Sequence, residues 1–383
     1  MTAWRAMTAA DLGRGIGKGT ICPVALTEAF LEAAAAEPLS ARIYARMTGR
    51  RALDTAMGAR ARAKAGLRLG PLDGVPVAWK DLFDTAGVAT EAGSALLAGR
   101  VPDRDATVVA RLTAAGLPPL GKTHMTELAF SGLGLNPVTA SPPCVNDAEA
   151  VSGGSSSGSA AAVAFGLAPL AIGSDTGGSV RLPAAWNDLV GLKTTAGRVP
   201  LDGVVPLAGR FDTVGPLARS VEDAALAFAL LDGSAPPDLR GARLAGVRLL
   251  VLETVALDDL DAGVAAGFDD ALSRLAAAGA QVTRGAVPAV AAMMDLAGIL
   301  YTAECWGTWG PRIEAAPDLM YAPVRDRFRA GAAHLAADYV AAWQRLERLR
   351  ADYAQAVAGF DAVVMPTAAG LPPKAAPLLA DAG

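Results

Sequence analysis

Along this chain, short apolar runs bounded by Gly, Pro and polar residues alternate with longer stretches whose apolar positions recur every three to four residues. The runs have the pattern of buried strands and the stretches that of amphipathic helices. Pro23 opens a helix over 24–36, where its fixed φ suits the first turn and its missing N–H is not needed. A second helix is expected over 52–64. The run Gly74-Val75-Pro76-Val77-Ala78-Trp79 reads as a buried strand ending at Lys80-Asp81. Asp105 is placed to cap a helix over 108–115 that stops at Gly116, and 117–120 reads as a short connection or strand.

Residues 136–152 are rich in Pro, Ser, Asn and Asp and read as a long loop. A glycine-rich turn, Gly153 to Gly158, leads into a small-residue helix over 159–165, then a strand over 167–172. A second glycine-rich turn, Ser174 to Gly178, leads into 179–185. Ser220 with Asp223 fits a capping box that opens a helix to Leu231. Strands over 247–252 and 361–365 flank a helix over 264–278. Alternating strands and helices predict an α/β fold with a mixed or mostly parallel sheet.

Composition narrows the function. The chain has 383 residues, room for one large α/β domain or two ordinary ones. It is 52% hydrophobic, much of that alanine, yet no run of 18 or more apolar residues suggests a membrane span. Residues 1–14 carry charged and polar side chains where a secretory leader needs an apolar core, so a cytoplasmic location is expected. A net charge of −4 without any block of Lys or Arg argues against a nucleic-acid surface. Cys22, Cys144 and Cys305 lack metal-ligand spacing and read as reduced structural thiols. The two histidines, His124 and His334, form no ligand pattern. A zinc hydrolase built on imidazoles is thereby set aside, and a Ser-His-Asp enzyme has at most these two candidates.

Two motif matches fail on context. Residues 116–123 fit the phosphate-binding pattern GxxxxGK[ST], but Pro118 and Pro119 remove N–H groups a phosphate cradle needs, and a helix precedes the first Gly where a strand is required. Gly154-Ser155-Ser156-Ser157-Gly158 fits the GxSxG nucleophile elbow, but a polar loop precedes it. Its only downstream histidine, His334, lies in 332–340, which reads as an ordinary helix.

The paired glycine-serine turns carry more. Consecutive N–H groups in Thr176-Gly177-Gly178-Ser179 can converge on a negative oxygen, with the Ser179 hydroxyl beside them at the start of a helix. That serine needs a base, and a buried lysine can serve, because desolvation disfavours its charge. Lys80, at the end of an apolar strand, is such a lysine.

These residues resemble the amidase signature family, the Ser-cisSer-Lys hydrolases. The resemblance rests on Gly153 to Ala160 and Ser174 to Arg181, on Gly74 to Asp81 upstream, and on Gly191-Leu192-Lys193-Thr194-Thr195, Gly197-Arg198-Val199 and Asp212 to Ser220 downstream. It is strong over about residues 70–232. It implies one large domain, a mixed β-sheet core covered on both faces by helices, spanning 1–383: an N-terminal helical part to about 65, the core, and a C-terminal part over 233–383. By resemblance, Ser179 is the nucleophile. Ser155, after a cis peptide, relays the proton, and Lys80 is the base. The N–H groups of Thr176, Gly177, Gly178 and Ser179 form the oxyanion hole. Ser156 and Arg181 support the turns, and Ala129 and Ser131 belong to the stretch lining the acyl pocket. No metal or organic cofactor is implied. The implied partner is a small-molecule amide, with no nucleic acid or membrane and a homodimer left open. The substrate itself has no readable motif.

The departures are Ser157, where the family commonly has Gly, Trp186-Asn187-Asp188 in place of Phe/Leu-Cys-Gly, and a C-terminal part expected to be short or incomplete. A glutaminase A subunit of a tRNA-dependent amidotransferase is the alternative. It would carry an Arg-Tyr-Gly type element, absent between Leu300 and Asp338, where Trp306 and Trp309 suggest an apolar pocket. A silent binding module is disfavoured by the intact Lys80, Ser155 and Ser179.

Overall fold

The short apolar runs become the inner strands of a sheet in a computed structural model that describes residues 2–380. Six strands form this sheet: β1 (Tyr44–Met47), β2 (Val77–Lys80), β3 (Pro119–Thr123), β4 (Leu170–Ser174), β5 (Val190–Gly191) and β6 (Val214–Ala218), in the order β1-β3-β2-β4-β6-β5. β3, β2 and β4 run parallel, whereas β1, β6 and β5 add antiparallel to the flanks. Every residue of β2, β3, β4 and β6 is buried. Strands covered on both faces lack polar alternation, which is why 74–79 reads so clearly as a strand. The expected α/β class, with a mixed sheet flanked by helices, is what the chain forms.

A second sheet, β8-β7-β9, is parallel throughout and joins β7 (Arg248–Leu252), β8 (Gln281–Gly285) and β9 (Ala362–Val364). The chain separates into two compact units. One holds the residues up to Asp238, Pro311–Arg325 and those from Pro372 on; the other holds Leu239–Gly310 and Asp326–Leu371. The six-stranded sheet lies in the first and the parallel three-stranded sheet in the second.

Several expectations are corrected. Asp105 does not cap the helix Thr107–Ala114, whose N-cap is Ala106 without a side-chain bond. Its carboxylate instead accepts from Ala86 N at 2.8 Å and pairs with Arg51. β4 begins at Leu170 rather than 167 because the N–H groups of Leu167 and Ala168 turn back onto Ala162 O at 2.8 and 2.9 Å, closing the helix Ser157–Ala164. The helix expected over 332–340 is broken. A 3-10 turn over Ala330–Ala333 ends at His334, whose backbone is extended, and a new helix runs from Ala336 to Val357. β6 escapes a pattern reading because Pro216 sits mid-strand, where proline normally argues against a ladder. Its carbonyl accepts from Leu192 N at 3.1 Å.

Ser220 caps the helix Val221–Asp232, its Oγ accepting from Asp223 N at 3.1 Å, and Gly233 ends it at φ +80°. Ser220→Ala should lower stability by ~1 kcal/mol, the usual worth of an N-cap hydroxyl. The check is a lower urea midpoint at an unchanged slope.

Candidate active site

In open α/β sheets, functional groups collect beyond the carboxyl ends of the parallel strands. Here Lys80 is the last residue of β2 and Ser174 the last of β4. Lys80 is wholly buried, and its Nζ is hydrogen-bonded to Ser155 Oγ at 2.7 Å and to Ser174 Oγ at 2.9 Å. Both partners are hydroxyls, so no carboxylate in direct contact repays the desolvation of its charge. Burial lowers its pKa from 10.5 to about 7, with Asp175 and Asp212 pulling in the opposite direction.

Ser155 follows a cis peptide after Gly154, the conformation the resemblance implied. Its loop is laced to the strand end on one side. Thr126 N donates to Ser155 O at 3.2 Å, Gly154 N to Gly132 O at 2.6 Å, and Gly153 N to Leu133 O at 3.2 Å. These bonds set the stretch holding Ala129 and Ser131 beside the cis-peptide loop. Ala129 sits at φ +63° after Leu128 at +45°, and Ser131 Oγ accepts from Leu133 N at 3.2 Å. A Cβ on Gly154 would lie 2.6 Å from both Gly134 N and Thr126 Oγ1. Only glycine allows this approach.

Ser156 couples the two turns. Its Oγ donates to Ser174 O at 3.1 Å and accepts from Ser174 N at 3.3 Å, while its N–H donates to Ser179 O at 3.1 Å. Ser179 is 8% exposed. The turn before it winds around Asp175, which is fully buried. Its carboxylate accepts from Gly178 N at 2.7 Å, Val180 N at 3.1 Å and Arg181 N at 3.3 Å, and from Arg181 Nε and a terminal guanidinium nitrogen at 3.0 and 2.9 Å. Arg181 thus acts on the turn through Asp175. Gly178, at φ +131°, gives its N–H to this carboxylate. Gly178, expected among the oxyanion donors, thus has its N–H engaged by Asp175 inside the turn. Gly177 is exposed, and Thr176 donates its hydroxyl to Asp212.

Ser174, Asp175 and Asp212 carry no role readable from the sequence, although all three lie within the motifs that carry the resemblance. The available signal was polarity within otherwise buried stretches. The departure at 186–188 also finds its place. Asn187 is buried and donates to Ser152 O at 2.8 Å and Pro183 O at 2.9 Å, while its Oδ1 accepts from Val145 N at 3.0 Å. It fastens the long loop to the helix Arg181–Trp186.

The discarded matches stay discarded on structural grounds. Gly116, at φ +86°, ends a helix, and Lys122 lies buried in β3, where it pairs with Asp81 at 3.3 Å. His334 Nε2 is hydrogen-bonded to Thr302 Oγ1 at 3.1 Å, and burial pushes the His124 imidazole down to about 4. Trp309 is buried, and Trp306 packs against the Gly331 backbone, within the second unit. All three cysteines are free thiols. Among the described residues no helix is long and apolar enough to cross a membrane, and no group of three or more His, Cys, Asp or Glu is placed to hold a metal.

Comparison with known proteins agrees with this geometry. The Amidase family model matches residues 25–379. The glutamyl-tRNA(Gln) amidotransferase A subunit from Thioalkalivibrio sulfidiphilus is 36% identical over 94% of this chain and 82% of its own length. A 2-amino-5-chloromuconic acid deaminase from Comamonas testosteroni is 38% identical over 90% of this chain and 77% of its own length. The crystal structure of an amidase superposes with a TM-score of 0.88 at 32% identity, over 96% of this chain and 84% of the other. With the strand-end lysine, the cis-peptide serine loop and the glycine-rich turn in one place, the chain belongs to the amidase family.

Proposed function

We propose that the chain hydrolyses a carboxamide of a small substrate to a carboxylate and ammonia or an amine, through an acyl-enzyme on Ser179. The observation that carries this reading is the 2.7 Å bond between Lys80 and Ser155, both fully buried. A lysine with a pKa of about 7 is substantially neutral at physiological pH. It then donates an N–H to Ser174 and offers its lone pair to the Ser155 hydroxyl.

The sequence of steps follows from that polarity. Ser155 passes its proton to Lys80 as it takes the proton of Ser179, and Ser179 Oγ bonds to the amide carbon. The oxyanion is met by the N–H groups of Gly177 and Ser179, with Thr176 at the start of the turn; fixed donors of this kind typically supply a few kcal/mol each. Ser155 then gives a proton to the leaving nitrogen as the C–N bond breaks, and Lys80 returns its proton to Ser155. Water attacks the ester, losing its proton through the same relay, and the carboxylate leaves as Ser179 is reprotonated. Ala129 and Ser131, on the stretch bonded to the cis-peptide loop, border the acyl group.

A second reading, hydrolysis of glutamine within a tRNA-dependent amidotransferase, is supported by the name of the relative from Thioalkalivibrio sulfidiphilus. Ammonia release from glutamine together with co-purifying partner proteins would favour it over a free-standing amidase.

Lys80→Ala and Ser179→Ala should each reduce hydrolysis of a panel of small amides by at least ~10³-fold, the scale on which relay members act, with the circular dichroism spectrum preserved. Turnover at the normal rate in either folded variant rejects the relay. Because Lys80 must be neutral, kcat/KM should be full above its pKa of about 7 and fall tenfold per pH unit below it. A profile flat from pH 5 to 8 would remove Lys80 from the role of base.

A further inference from the structure

Two carboxylates outside the serine-lysine relay act on Lys80, and they are built differently. Asp175 is wrapped by five N–H donors, two of them from the Arg181 guanidinium, so its charge is locally balanced. Asp212, 6% exposed, has neutral hydrogen-bond partners among the described residues. Its carboxylate accepts from Leu207 N at 2.9 Å, from Ala208 N at 3.2 Å and from the Thr176 hydroxyl. The same place carries a second tie between the two segments. Asp175 N donates to Thr213 O at 2.8 Å, Thr213 N to Asp175 O at 3.1 Å, and Thr213 Oγ1 to Asp175 O at 2.6 Å. The segment leading into β6 therefore grips the first two residues of the nucleophile turn from outside, while Asp175 grips its far end from within.

We propose that Asp212 is a positioning residue of the amide-hydrolysing site: it anchors Thr176, and with it the turn that presents Gly177 and Ser179, and it supplies an unbalanced negative charge toward Lys80. This rests on the relay reading given above. A turn with three glycines or serines in succession has little side-chain packing to hold it, so its aim depends on polar anchors at both ends. Charge without a counter-ion inside a protein reaches further than charge in a salt bridge. The charged groups facing this region are few. Asp175 and Asp212 favour the ammonium form of Lys80, Arg181 pairs with Asp175, and the half-buried Lys193, bonded to Thr194 O, feels the Asp175 charge. Removing the Asp212 charge leaves burial less opposed, so Lys80 should lose its proton more readily.

Two substitutions separate the anchor from the charge. Asp212→Asn keeps a side-chain oxygen for the Thr176 hydroxyl but removes the charge. The acid limb of kcat/KM should move ~0.5–1 pH unit lower, a modest shift for one nearby charge. Thr176→Val keeps the charge and removes the anchor: kcat should fall roughly tenfold or more through the misplaced turn, with the acid limb unmoved. Asp212→Glu should restore the limb toward its wild-type position. The labelling rate of Ser179 by a fluorophosphonate, followed against pH, gives the same limb without a substrate. An unshifted limb in folded Asp212→Asn, or an unaltered kcat in Thr176→Val, overturns the proposal. If Asp212→Asn does not fold, Asp212→Ser removes the charge in its place and must move the limb the same way, while Thr176→Val decides the anchoring role. Should Ser179→Ala or Lys80→Ala retain turnover, the relay reading is what has failed.

Discussion

The site depends on one constraint: a lysine buried at the end of a central strand, its amine hydrogen-bonded to two serine hydroxyls rather than to a carboxylate. Burial disfavours the ammonium, and hydroxyl partners cannot repay the loss as a carboxylate would. Everything else serves this arrangement. β2 and β4 must run parallel and adjacent for Lys80 and Ser174 to meet, and the cis-peptide loop must bring Ser155 down onto the same amine.

The second requirement is that two glycine-rich turns hold still. Their small residues permit close backbone approach but offer almost nothing to pack, so polar contacts replace packing. Ser156 ties one turn to the other, Asp175 fills the inside of the nucleophile turn and Asn187 fixes the helix after it. Ser157, where the family commonly has glycine, keeps its Oγ buried without a hydrogen-bond partner among the described residues. Ser157 opens the helix Ser157–Ala164 and accepts, at its carbonyl, from Ser152 Oγ at 3.2 Å. Its side chain lies off the relay.

Much of this was legible in the chain, because buried parallel strands announce themselves as unbroken apolar runs and glycine-serine turns are rare in pairs. The strand ending at Lys80 and the helices opened by Pro23 and Ser220 are of that kind. Elements whose reasons are tertiary were not. β1 is an edge strand whose Arg46 reaches Asp81 and Glu91, so its pattern looks like neither period. Asp105 has the residue type of a cap but is drawn away by Arg51. Gly178 carries an N–H that position alone would aim at substrate, and only the fold shows that Asp175 has taken it. Local pattern gives residue types; which donor meets which acceptor is decided by segments distant in sequence.

The sheet itself supplies a comparison that tests why Lys80, and not another lysine, suits the role of base. Lys122 is as deeply buried, one strand away. In the ladder Trp79 stands opposite Lys122 and Lys80 opposite Thr123, so alternation places the two lysines on opposite faces. Lys122 meets Asp81 at 3.3 Å, the Phe83 carbonyl at 2.7 Å and Thr90 Oγ1 at 2.8 Å. Burial lowers its pKa too, to about 8, but Asp81 works against that fall at contact distance, and Asp81 is itself gripped by Arg46. A proton leaving Lys122 would cost Asp81 one of its two cationic partners, and the hydroxyl beside Lys122 belongs to Thr90, away from the glycine-serine turns. Burial is common to both lysines. The difference lies in the partner: a carboxylate holds the proton of Lys122 in place, while a serine hydroxyl beside Lys80 would give it a path in the proposed relay.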